Sequence, residues 1–261
     1  MDPNSAALPL HLLDRVRVVL VGTSHAGNIG GAARAMKNMG LSRLFLAGPE
    51  VAFPHPEATW RAVQAADLLD TAVVTRDLAE AVADCTLVIG TSARERRIQL
   101  PQLTPRGLGS LFASSGPAEQ IALVFGREDS GLSNEELRMC HWHVHIPTSA
   151  EYSSLNLAAA VQILCYELRL ACLEPVPLPA SQPEDDWDEP LATVEGVERF
   201  YEHLEQTLTD IGFLKPSAPR QLMTRLRRLF NRVRLDQMEL NILRGMLTEV
   251  QKAVRGEGPR T

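Results

Sequence analysis

The sequence predicts an α/β fold in which a parallel sheet carries helices on both faces, followed by a small all-helical extension. The first observation is that short apolar runs alternate with helical segments through the first two thirds of the chain, as in a sheet covered on both sides. The second is that the last part has apolar residues at helical spacing and no strand pattern. The third is a proline-rich acidic stretch between the two parts, which indicates a linker.

The elements of the first part follow one another along the chain. The predicted strands share short apolar runs and span 15–21, 43–48, 72–75, 86–90, 121–125 and 143–146. The predicted helices lie between and after them, at 30–40, 56–67, 77–85, 133–140 and 155–173. Gly40 stands where a left-handed glycine ends a helix, and Ser133 and Glu136 have the spacing of a capping box.

Three helices are predicted in the second part. Apolar residues recur at helical spacing from Val194 to Ile211, from Leu222 to Val233 and from Met238 to Val250. Three helices form only a small core. We therefore expect them to pack on the first domain or on a partner subunit.

The boundary between the parts is set by residues 174–190. This stretch holds five of the 17 prolines and six acidic residues, without a basic one. Proline stiffens such a segment and like charges extend it. The sequence therefore predicts a first domain at 1–173, a linker at 174–190 and a helical domain at 191–261.

Composition limits the class of protein. The chain has 261 residues, of which 45% are hydrophobic and 22% charged, as in ordinary globular proteins. No apolar run approaches the ~20 residues that a membrane-spanning helix needs. The beginning, MDPNSAALPLHLLDR, lacks the basic and apolar regions of a secretory signal. We expect a cytoplasmic protein without a membrane segment.

The cysteines and histidines argue against disulfides and metal. Cys85, Cys140, Cys165 and Cys172 lie far apart without a Cys-x-x-Cys pair, which favours buried thiols. The run CHWHVH, residues 140–145, puts two histidines on one strand face, but a zinc site needs three or four converging ligands. We therefore expect no metal.

The net charge of −6 hides a segregated pattern. Seven basic residues and no acidic ones lie between Lys215 and Arg234. Arg225, Arg228 and Arg232 fall on one face of the predicted helix, which suits the phosphate groups of a nucleic acid. The alternative is the solvated face of an amphipathic helix.

Four strand ends carry polar residues, and ligands of a parallel sheet bind beyond such ends. The first loop, GTSHAGNIGGAARAM, has glycines at 22 and 27 with the spacing of a phosphate-binding loop. However, Asn28 and Ile29 replace its Lys and Ser/Thr, and the Gly-x-Gly-x-x-Gly pattern is absent. Taken alone, Asn28 predicts a helix N-cap and Arg34 a surface arginine.

The other three loops are also polar. The loop GTSARERR offers two hydroxyl groups and three arginines, at Thr91, Ser92, Arg94, Arg96 and Arg97. FGREDSGLSNEEL places Arg127 and Glu128 at a strand end, and HVHIPTSAEYSSLNLAAAV places Ser153, Ser154 and Asn156 before an apolar helix. Each loop alone also fits a solvated turn or a structural ion pair.

Together the loops resemble the SPOUT methyltransferases of the SpoU/TrmH class. NIGGAARAM, FGREDSGL and IPTSAEYSSLNLAAAV match the three motifs of that family in order, and the resemblance covers residues 15–173. The segments VGTSHAGNIGGAARAMKNMG and EYSSLNLAAAVQILCYE, followed by a helical extension, are similar to the corresponding segments of enzymes that methylate the 2′-hydroxyl of residue 32 in the tRNA anticodon loop. The resemblance implies a deep trefoil knot, a homodimer with active sites near its interface, and S-adenosylmethionine as cofactor.

The resemblance also implies residue roles. The cofactor-binding residues would be Thr91, Ser92, Ala93, Gly126, Ile146, Ser153, Ser154 and Leu155. The catalytic arginine would be Arg34, with the ribose and this arginine oriented by Asn28, Glu128, Ser154 and Asn156. The tRNA would be held by Arg94, Arg96, Arg97, Arg225, Arg228 and Arg232.

The role of Arg34 has two alternatives, because a guanidinium group essentially never loses its proton in proteins. Either its surroundings make the loss of that proton far easier, or Arg34 binds the RNA phosphate and the developing alkoxide while water or phosphate takes the proton. Competing functions are the same reaction at another tRNA position or on ribosomal RNA, and a noncatalytic RNA-binding knot protein. A nicotinamide-dependent oxidoreductase is disfavoured by the missing glycine pattern.

Overall fold

The computed structural model describes residues 10–91, 101–149, 151, 154–173, 189–215 and 221–257. The chain divides into two compact units, Met1–Ser181 and Gln182–Thr261. Most of the predicted linker lies outside the described residues, so the boundaries 174 and 190 stay predictions.

The described part of the first unit contains a seven-stranded parallel sheet. Its strands are β1 (Val16–Val21), β2 (Arg43–Ala47), β3 (Val73–Thr75), β4 (Leu87–Thr91), β5 (Gln102–Leu103), β6 (Ile121–Phe125) and β7 (Trp142–Val144). Their order is β3-β2-β1-β6-β4-β7-β5, and all pairs are parallel. Every residue of the central strands β1 and β6 is buried, which requires cover on both faces. The predicted fold class is confirmed.

The helices of this unit connect the strands. They are α1 (Ala26–Met39), α2 (Pro56–Ala62), α3 (Ala66–Asp70), α4 (Leu78–Val82), α5 (Pro105–Ser114), α6 (Asn134–Arg138) and α7 (Leu157–Leu173). Gly40 follows α1 with a left-handed φ of 86°, and Ser133 and Glu136 form the capping box of α6. Both predicted helix boundaries are confirmed.

Some elements differ from their prediction. Helix α1 begins at Ala26, four residues earlier than predicted. Gly30 therefore lies inside the helix, where it permits close packing on α2: a Cβ there would lie 2.0 Å from the carbonyl oxygen of Ala58. The helix predicted at 56–67 is interrupted at Val63, whose φ is 53°. β5 and α5 were not predicted, since β5 has only two residues and α5 contains Gly107 and Gly109, which weaken a helical pattern.

The position of β7 bears on the predicted knot. β7 lies between β4 and β5 in the sheet, although both precede it in the chain. The loops that leave β4 and β7 include residues 92–100 and 152–153, which lie outside the described residues. The knot therefore stays a prediction from the family resemblance.

The described part of the second unit contains three helices and no strand longer than a single bridge, Leu191 with Asp236, as predicted for a helical domain. Its helices are α8 (Val194–Asp210), α9 (Leu222–Val233) and α10 (Gln237–Val254). Their small core includes Phe200, Tyr201 and Leu240, and the Tyr201 hydroxyl lies 2.6 Å from Oδ1 of Asn231. No helix in the described parts of the chain is both long and apolar enough to cross a membrane.

The four cysteines are free and buried, which confirms the prediction of buried thiols. Burial raises the pKa of the Cys85, Cys140 and Cys165 thiols to about 12. The pKa of Cys172 is shifted in the same direction, also by burial. Thiols of this kind are poor nucleophiles near neutral pH.

Candidate active site

The four polar loops leave the same edge of the sheet. β1, β6, β4 and β7 are consecutive neighbours and run parallel, so the segments that follow their carboxyl ends gather at one edge. The last residues of these strands are Val21, Phe125, Thr91 and Val144. The sheet thus brings together loops that lie more than a hundred residues apart in the sequence.

Asn28 joins three of these loops through its side-chain amide. Its Nδ2 donates to Oε1 of Glu128 at 2.9 Å, and its Oδ1 accepts from Nδ2 of Asn156 at 3.1 Å. The Asn156 Oδ1 accepts from the backbone N–H of Ala158, 3.0 Å away in the first turn of α7, which fixes the orientation of that amide. Asn28 is not the N-cap of α1, a position that His25 occupies.

Glu128 is held as an anion. Besides Asn28, the backbone N–H and the hydroxyl of Ser24 donate to its Oε2, both at 3.3 Å. Burial alone would raise the pKa of Glu128, but the hydrogen bonds from Asn28, from the backbone of Glu128 itself and from Ser24 together outweigh it and lower the pKa below its ordinary value. The carboxylate therefore accepts hydrogen bonds from two sides of the cluster.

Ser24 and His25 were not predicted as site residues. The Ser24 Oγ lies 2.8 Å from Nδ1 of His25, so the imidazole is linked through Ser24 to Glu128. The available signal was the polar run Thr23-Ser24-His25 directly after Gly22. The sequence offered no reason to connect this run to Glu128, because Ser24 and Glu128 are 104 residues apart.

Arg127 supports the loop that carries Glu128. Its Nη1 lies 3.1 Å from both carboxylate oxygens of Glu136, and its Nε lies 3.7 Å from Oε1 of Glu50. It also passes close to Gly22, where a Cβ would lie 2.6 Å from the Arg127 Nε. Arg127 thus pairs with carboxylates on other segments and leaves its neighbour Glu128 for the Asn28 cluster.

The described candidates for cofactor binding lie at three adjacent strand ends. Thr91 ends β4, Gly126 follows β6 and Ile146 lies two residues after β7. Ile146 is half-buried, and Leu155 is an apolar side chain that is 36% exposed. Peptide groups and partly open apolar side chains are the kinds of group that bind a nucleoside, such as the adenosine of S-adenosylmethionine.

The loop of Gly126 is folded tightly. A Cβ on Gly126 would lie 2.2 Å from the backbone nitrogen of Leu132, so only glycine fits there. The chain returns because Arg127 and Gly131 exchange two backbone hydrogen bonds, of 3.3 and 2.9 Å. Ser154 is described and exposed, whereas Ser92, Ala93 and Ser153 lie outside the described residues.

Arg34 is exposed on α1 and forms no hydrogen bond or ion pair with a described residue. It follows Asn28 by six residues, which on an α-helix means about 9 Å along the axis and roughly 120° around it. Within one chain, the structure therefore does not bring Arg34 into the Asn28 cluster.

The proposed RNA-contacting arginines fall into two groups. Arg94, Arg96 and Arg97 lie outside the described residues. Arg225, Arg228 and Arg232 belong to α9 and lie on one side of it by helical spacing. All three of these arginines are exposed. Their neighbour Arg227 has a structural role, since it lies 2.5 Å from Oε1 of Glu198 and 4.4 Å from the ring centre of Tyr201.

A metal site would need converging ligands. Within the described ranges, no group of three or more His, Cys, Asp and Glu side chains is arranged to hold a metal ion. The chemistry of the cluster instead rests on amides, one carboxylate, a hydroxyl and an imidazole.

Known proteins resemble the chain over nearly its whole length. Residues 15–166 match the SpoU rRNA Methylase family, and residues 195–259 match the C-terminal domain of the tRNA methyltransferase TrmJ. The tRNA (cytidine/uridine/adenosine-2′-O-)-methyltransferase TrmJ of Pseudomonas aeruginosa is 54% identical over 94% of this chain and 97% of its own. The tRNA (cytidine/uridine-2′-O-)-methyltransferase TrmJ of Pectobacterium atrosepticum is 51% identical over 92% and 98%.

A solved structure agrees with these relatives. The crystal structure of TrmJ from Z. mobilis has a TM-score of 0.78 at 32% identity and covers 90% of this chain and 99% of that one. The chain belongs to the SpoU methylase family, in the branch of the TrmJ methyltransferases.

Proposed function

We propose that the protein is a cytoplasmic enzyme that transfers the methyl group of S-adenosylmethionine to the ribose 2′-hydroxyl of cytidine or uridine 32 in the tRNA anticodon loop. The observation that carries this proposal is the pair of hydrogen bonds of Asn28, which joins Glu128 and Asn156 from the other two motif loops. The relatives, which are tRNA 2′-O-methyltransferases by name, support the substrate class.

The cofactor supplies an electrophilic methyl group when it is bound. We assign its binding to Thr91, Gly126, Ile146, Ser154 and Leu155, together with Ser92, Ala93 and Ser153. The exposed Leu155 and the half-buried Ile146 would provide apolar walls for the adenine. The peptide groups at the ends of β4 and β6 would provide hydrogen bonds for the polar edges.

The acceptor is a neutral hydroxyl group, so the site has to orient it and stabilise the charge that develops on oxygen. Alignment of the reacting atoms can contribute ~7–11 kcal/mol. We assign orientation to Asn28, Glu128, Ser154 and Asn156, and stabilisation of the developing alkoxide to Arg34. A guanidinium group that keeps its proton suits this role.

The position of Arg34 favours a homodimer. Gly31, one turn before Arg34, lies against α7, where a Cβ would be 3.0 Å from that of Ala158. The outer side of α7 has a row of uncharged residues at helical spacing, Ala159, Gln162, Ile163, Tyr166, Leu170 and Leu173. The neighbouring Arg169 donates to the backbone oxygen of Met39. Tyr166 is 47% exposed there. A second copy on this apolar side would lie beside Arg34 and cover a surface that is costly to leave in water.

The dimer has a direct test. Tyr166→Glu should convert the protein to a monomer in light scattering and abolish methylation. Mixing Arg34→Ala with Asn28→Ala subunits tests whether Arg34 serves the other copy. Recovered activity in the mixture would support that arrangement, and a monomeric wild-type protein would contradict the homodimer.

The decisive experiment maps ribose methylation in tRNA from cells with and without this chain. We expect a 2′-O-methyl group at position 32 only when the chain is present. In vitro, tRNA with a 2′-deoxy residue at position 32 should accept no methyl group. Methylation at another tRNA position or in ribosomal RNA would overturn the assignment of position 32 as the target. The proposed reaction, 2′-O-methylation of ribose, would still stand.

The assignment of Arg34 is checked on the purified protein. Arg34→Ala should abolish methyl transfer and leave S-adenosylmethionine binding unchanged in calorimetry, because Arg34 is not among the cofactor ligands. Arg76→Ala, which removes an exposed arginine paired with Glu80, is the matched control and should keep full activity. Weakened cofactor binding in Arg34→Ala would contradict the assignment.

A further inference from the structure

We propose that His25 is a catalytic residue that accepts the proton of the ribose 2′-hydroxyl, a role that rests on the methylation proposed above. Arg34 stabilises negative charge and, as a guanidinium, does not accept a proton. The reaction therefore needs another group that takes the proton within reach of the Asn28 cluster.

A chain of hydrogen bonds selects the form of the imidazole. Glu128 is an anion, so the Ser24 hydroxyl, 3.3 Å from its Oε2, is drawn to donate to it. The Ser24 Oγ then accepts, and the partner 2.8 Å away is Nδ1 of His25. The proton of a neutral imidazole consequently sits on Nδ1, which leaves the lone pair on Nε2.

The Nε2 atom is available to a substrate. His25 is exposed at the entrance of α1, and its side chain makes no capping hydrogen bond although it occupies the N-cap position. Within the described part of the chain, the imidazole bonds to Ser24 alone. An imidazole placed by one nitrogen and open at the other has the arrangement of a general base.

The other groups of the cluster are worse proton acceptors. Both oxygens of Glu128 already accept hydrogen bonds, and those bonds lower its pKa, which makes it a weak base. Asn28 and Asn156 are amides. Among the described residues, the other charged groups around the beginning of α1 include Glu57 and Arg61 of α2, both close to Gly27, and Arg127 with its partner Glu50.

The proposed step is balanced. The ribose 2′-oxygen forms a bond to the methyl carbon, and the carbon–sulfur bond breaks with its electron pair on sulfur. The proton of the 2′-hydroxyl passes to Nε2 of His25, which becomes an imidazolium. Ser24 and Glu128 stabilise that cation through Nδ1, and it later gives up the proton to solvent.

The test uses the full-length protein with S-adenosylmethionine and tRNA under single-turnover conditions. His25→Asn should slow methyl transfer by about 10²- to 10⁴-fold, the usual contribution of a general base, with unchanged affinity for cofactor and tRNA. The rate of the wild-type protein should fall as the pH is lowered, because imidazolium cannot accept a proton, and the variant should lack this acid limb. Imidazole in the buffer should partly restore the rate of methyl transfer by His25→Ala.

A measurement without turnover tests the same arrangement. Nitrogen NMR of the protein with labelled histidine should show His25 as the Nδ1–H tautomer, and Ser24→Ala should remove that preference while Ser24→Thr keeps it. His11→Asn replaces an exposed histidine in the short 3-10 helix Leu10–Arg15 and serves as the control, which should keep the wild-type rate.

The outcomes separate the two proposals. If the wild type methylates position 32 and His25→Asn does so at the same rate, or if the slowed variant keeps the wild-type pH dependence, His25 is not the proton acceptor and the proposed function stands. If the wild type methylates no tRNA, the proposed function falls and the role of His25 falls with it.

Discussion

Asn28 is the residue on which the arrangement of the site depends, because both halves of its amide are used. Its nitrogen donates to Glu128 and its oxygen accepts from Asn156. A side chain that is both donor and acceptor is required between a carboxylate and an amide nitrogen. Aspartate has the same shape but lacks the donor.

Asn28→Asp should therefore separate shape from hydrogen bonding. The new carboxylate would face Glu128, so we expect a decrease of about 1–3 kcal/mol in the free energy of unfolding at pH 7 and no detectable methyl transfer. Urea unfolding measures the first and a methylation assay the second. Asn38→Asp makes the same change at an exposed position of α1 and should cost less than about 1 kcal/mol. Equal effects in the two variants would contradict the role of Asn28.

The ionisation of Glu128 should make the stability of the fold depend on pH, with lower stability in acid. Its pKa is lower in the folded protein than its ordinary value, so the ionised carboxylate stabilises the fold above about pH 4.3, the value of a free glutamate. This stabilisation disappears as the pH falls through the lower folded value. At pH 7 the free energy of unfolding of the wild type should be about 1 kcal/mol higher than that of Glu128→Gln. The difference is modest because the site is partly exposed.

The measurement is chemical unfolding of both proteins between pH 7 and pH 3. The difference in unfolding free energy should shrink below about pH 4. A difference that stays constant over this range would show that the charge of Glu128 does not stabilise the fold.

At the scale of elements, two glycines within helices have different structural roles. Gly30 of α1 allows α2 to approach, since a Cβ there would lie 2.0 Å from the backbone oxygen of Ala58. Gly245 of α10 has nothing within 4 Å of the position of a Cβ. The same residue type is a packing requirement in one helix and only a source of backbone freedom in the other.

Alanine at the two positions should therefore change stability in opposite directions. Gly30→Ala should lower the unfolding free energy by more than about 2 kcal/mol, because the obstacle is backbone and cannot turn away. Gly245→Ala should raise it by up to about 1 kcal/mol through helix propensity. Thermal unfolding of each variant measures this, and a stabilised Gly30→Ala would contradict the close packing of α1 on α2.

At the scale of the whole molecule, chemistry and charge are distributed over two compact units. The Asn28 cluster lies in the first unit, whereas the basic helix α9 lies in the second. Binding of basic side chains to phosphates releases counterions, so it weakens as the salt concentration rises. The second unit should therefore control tRNA affinity more than the chemical step.

Charge reversal on α9 tests this division. Replacing Arg225, Arg228 and Arg232 by Glu should weaken tRNA binding and reduce the steepness of its salt dependence, by about one unit of slope for each phosphate that is no longer neutralised. The rate at saturating tRNA should change little. Arg227→Glu is the structural comparison and should destabilise the second unit, because Arg227 pairs with Glu198 and Tyr201. Salt-independent tRNA binding by the wild type would contradict the proposal.

The four buried thiols all lie in the first unit and report on the integrity of that unit. Because burial raises the pKa of Cys85, Cys140 and Cys165 to about 12, the native protein should react very slowly with a thiol reagent at pH 8. All four cysteines should react after unfolding in urea. Fast labelling of the native protein would show that the first unit opens readily.

Local chemistry decided the parts of the molecule that the sequence predicted correctly. The apolar runs of β1 and β6, the left-handed Gly40 and the capping box of Ser133 and Glu136 each depend on residues within one turn or one strand. Their pattern is therefore visible without the fold. The same holds for the three helices of the second unit, whose apolar spacing is regular.

Interactions between distant segments decided what the sequence did not predict. Two-residue β5 exists because β7 pairs with it, and the break at Val63 has no local signal. Likewise, the motifs marked Asn28, Glu128 and Asn156 as polar, but the hydrogen bonds between them span 100 and 128 residues. Neither spacing nor composition encodes such a pairing.

The sequence by itself determined the layered α/β class, the helical second part, the buried thiols and the polar residues of the motif loops, because hydrophobic periodicity and turn chemistry act locally. Only the tertiary structure decided that Asn28 is a bridge and no helix cap, that Arg127 turns to Glu136 and Glu50, and that His25 is linked through Ser24 to Glu128. A hydrogen bond depends on positions within about 3 Å, and only the folding of the parallel sheet places these loops that close together.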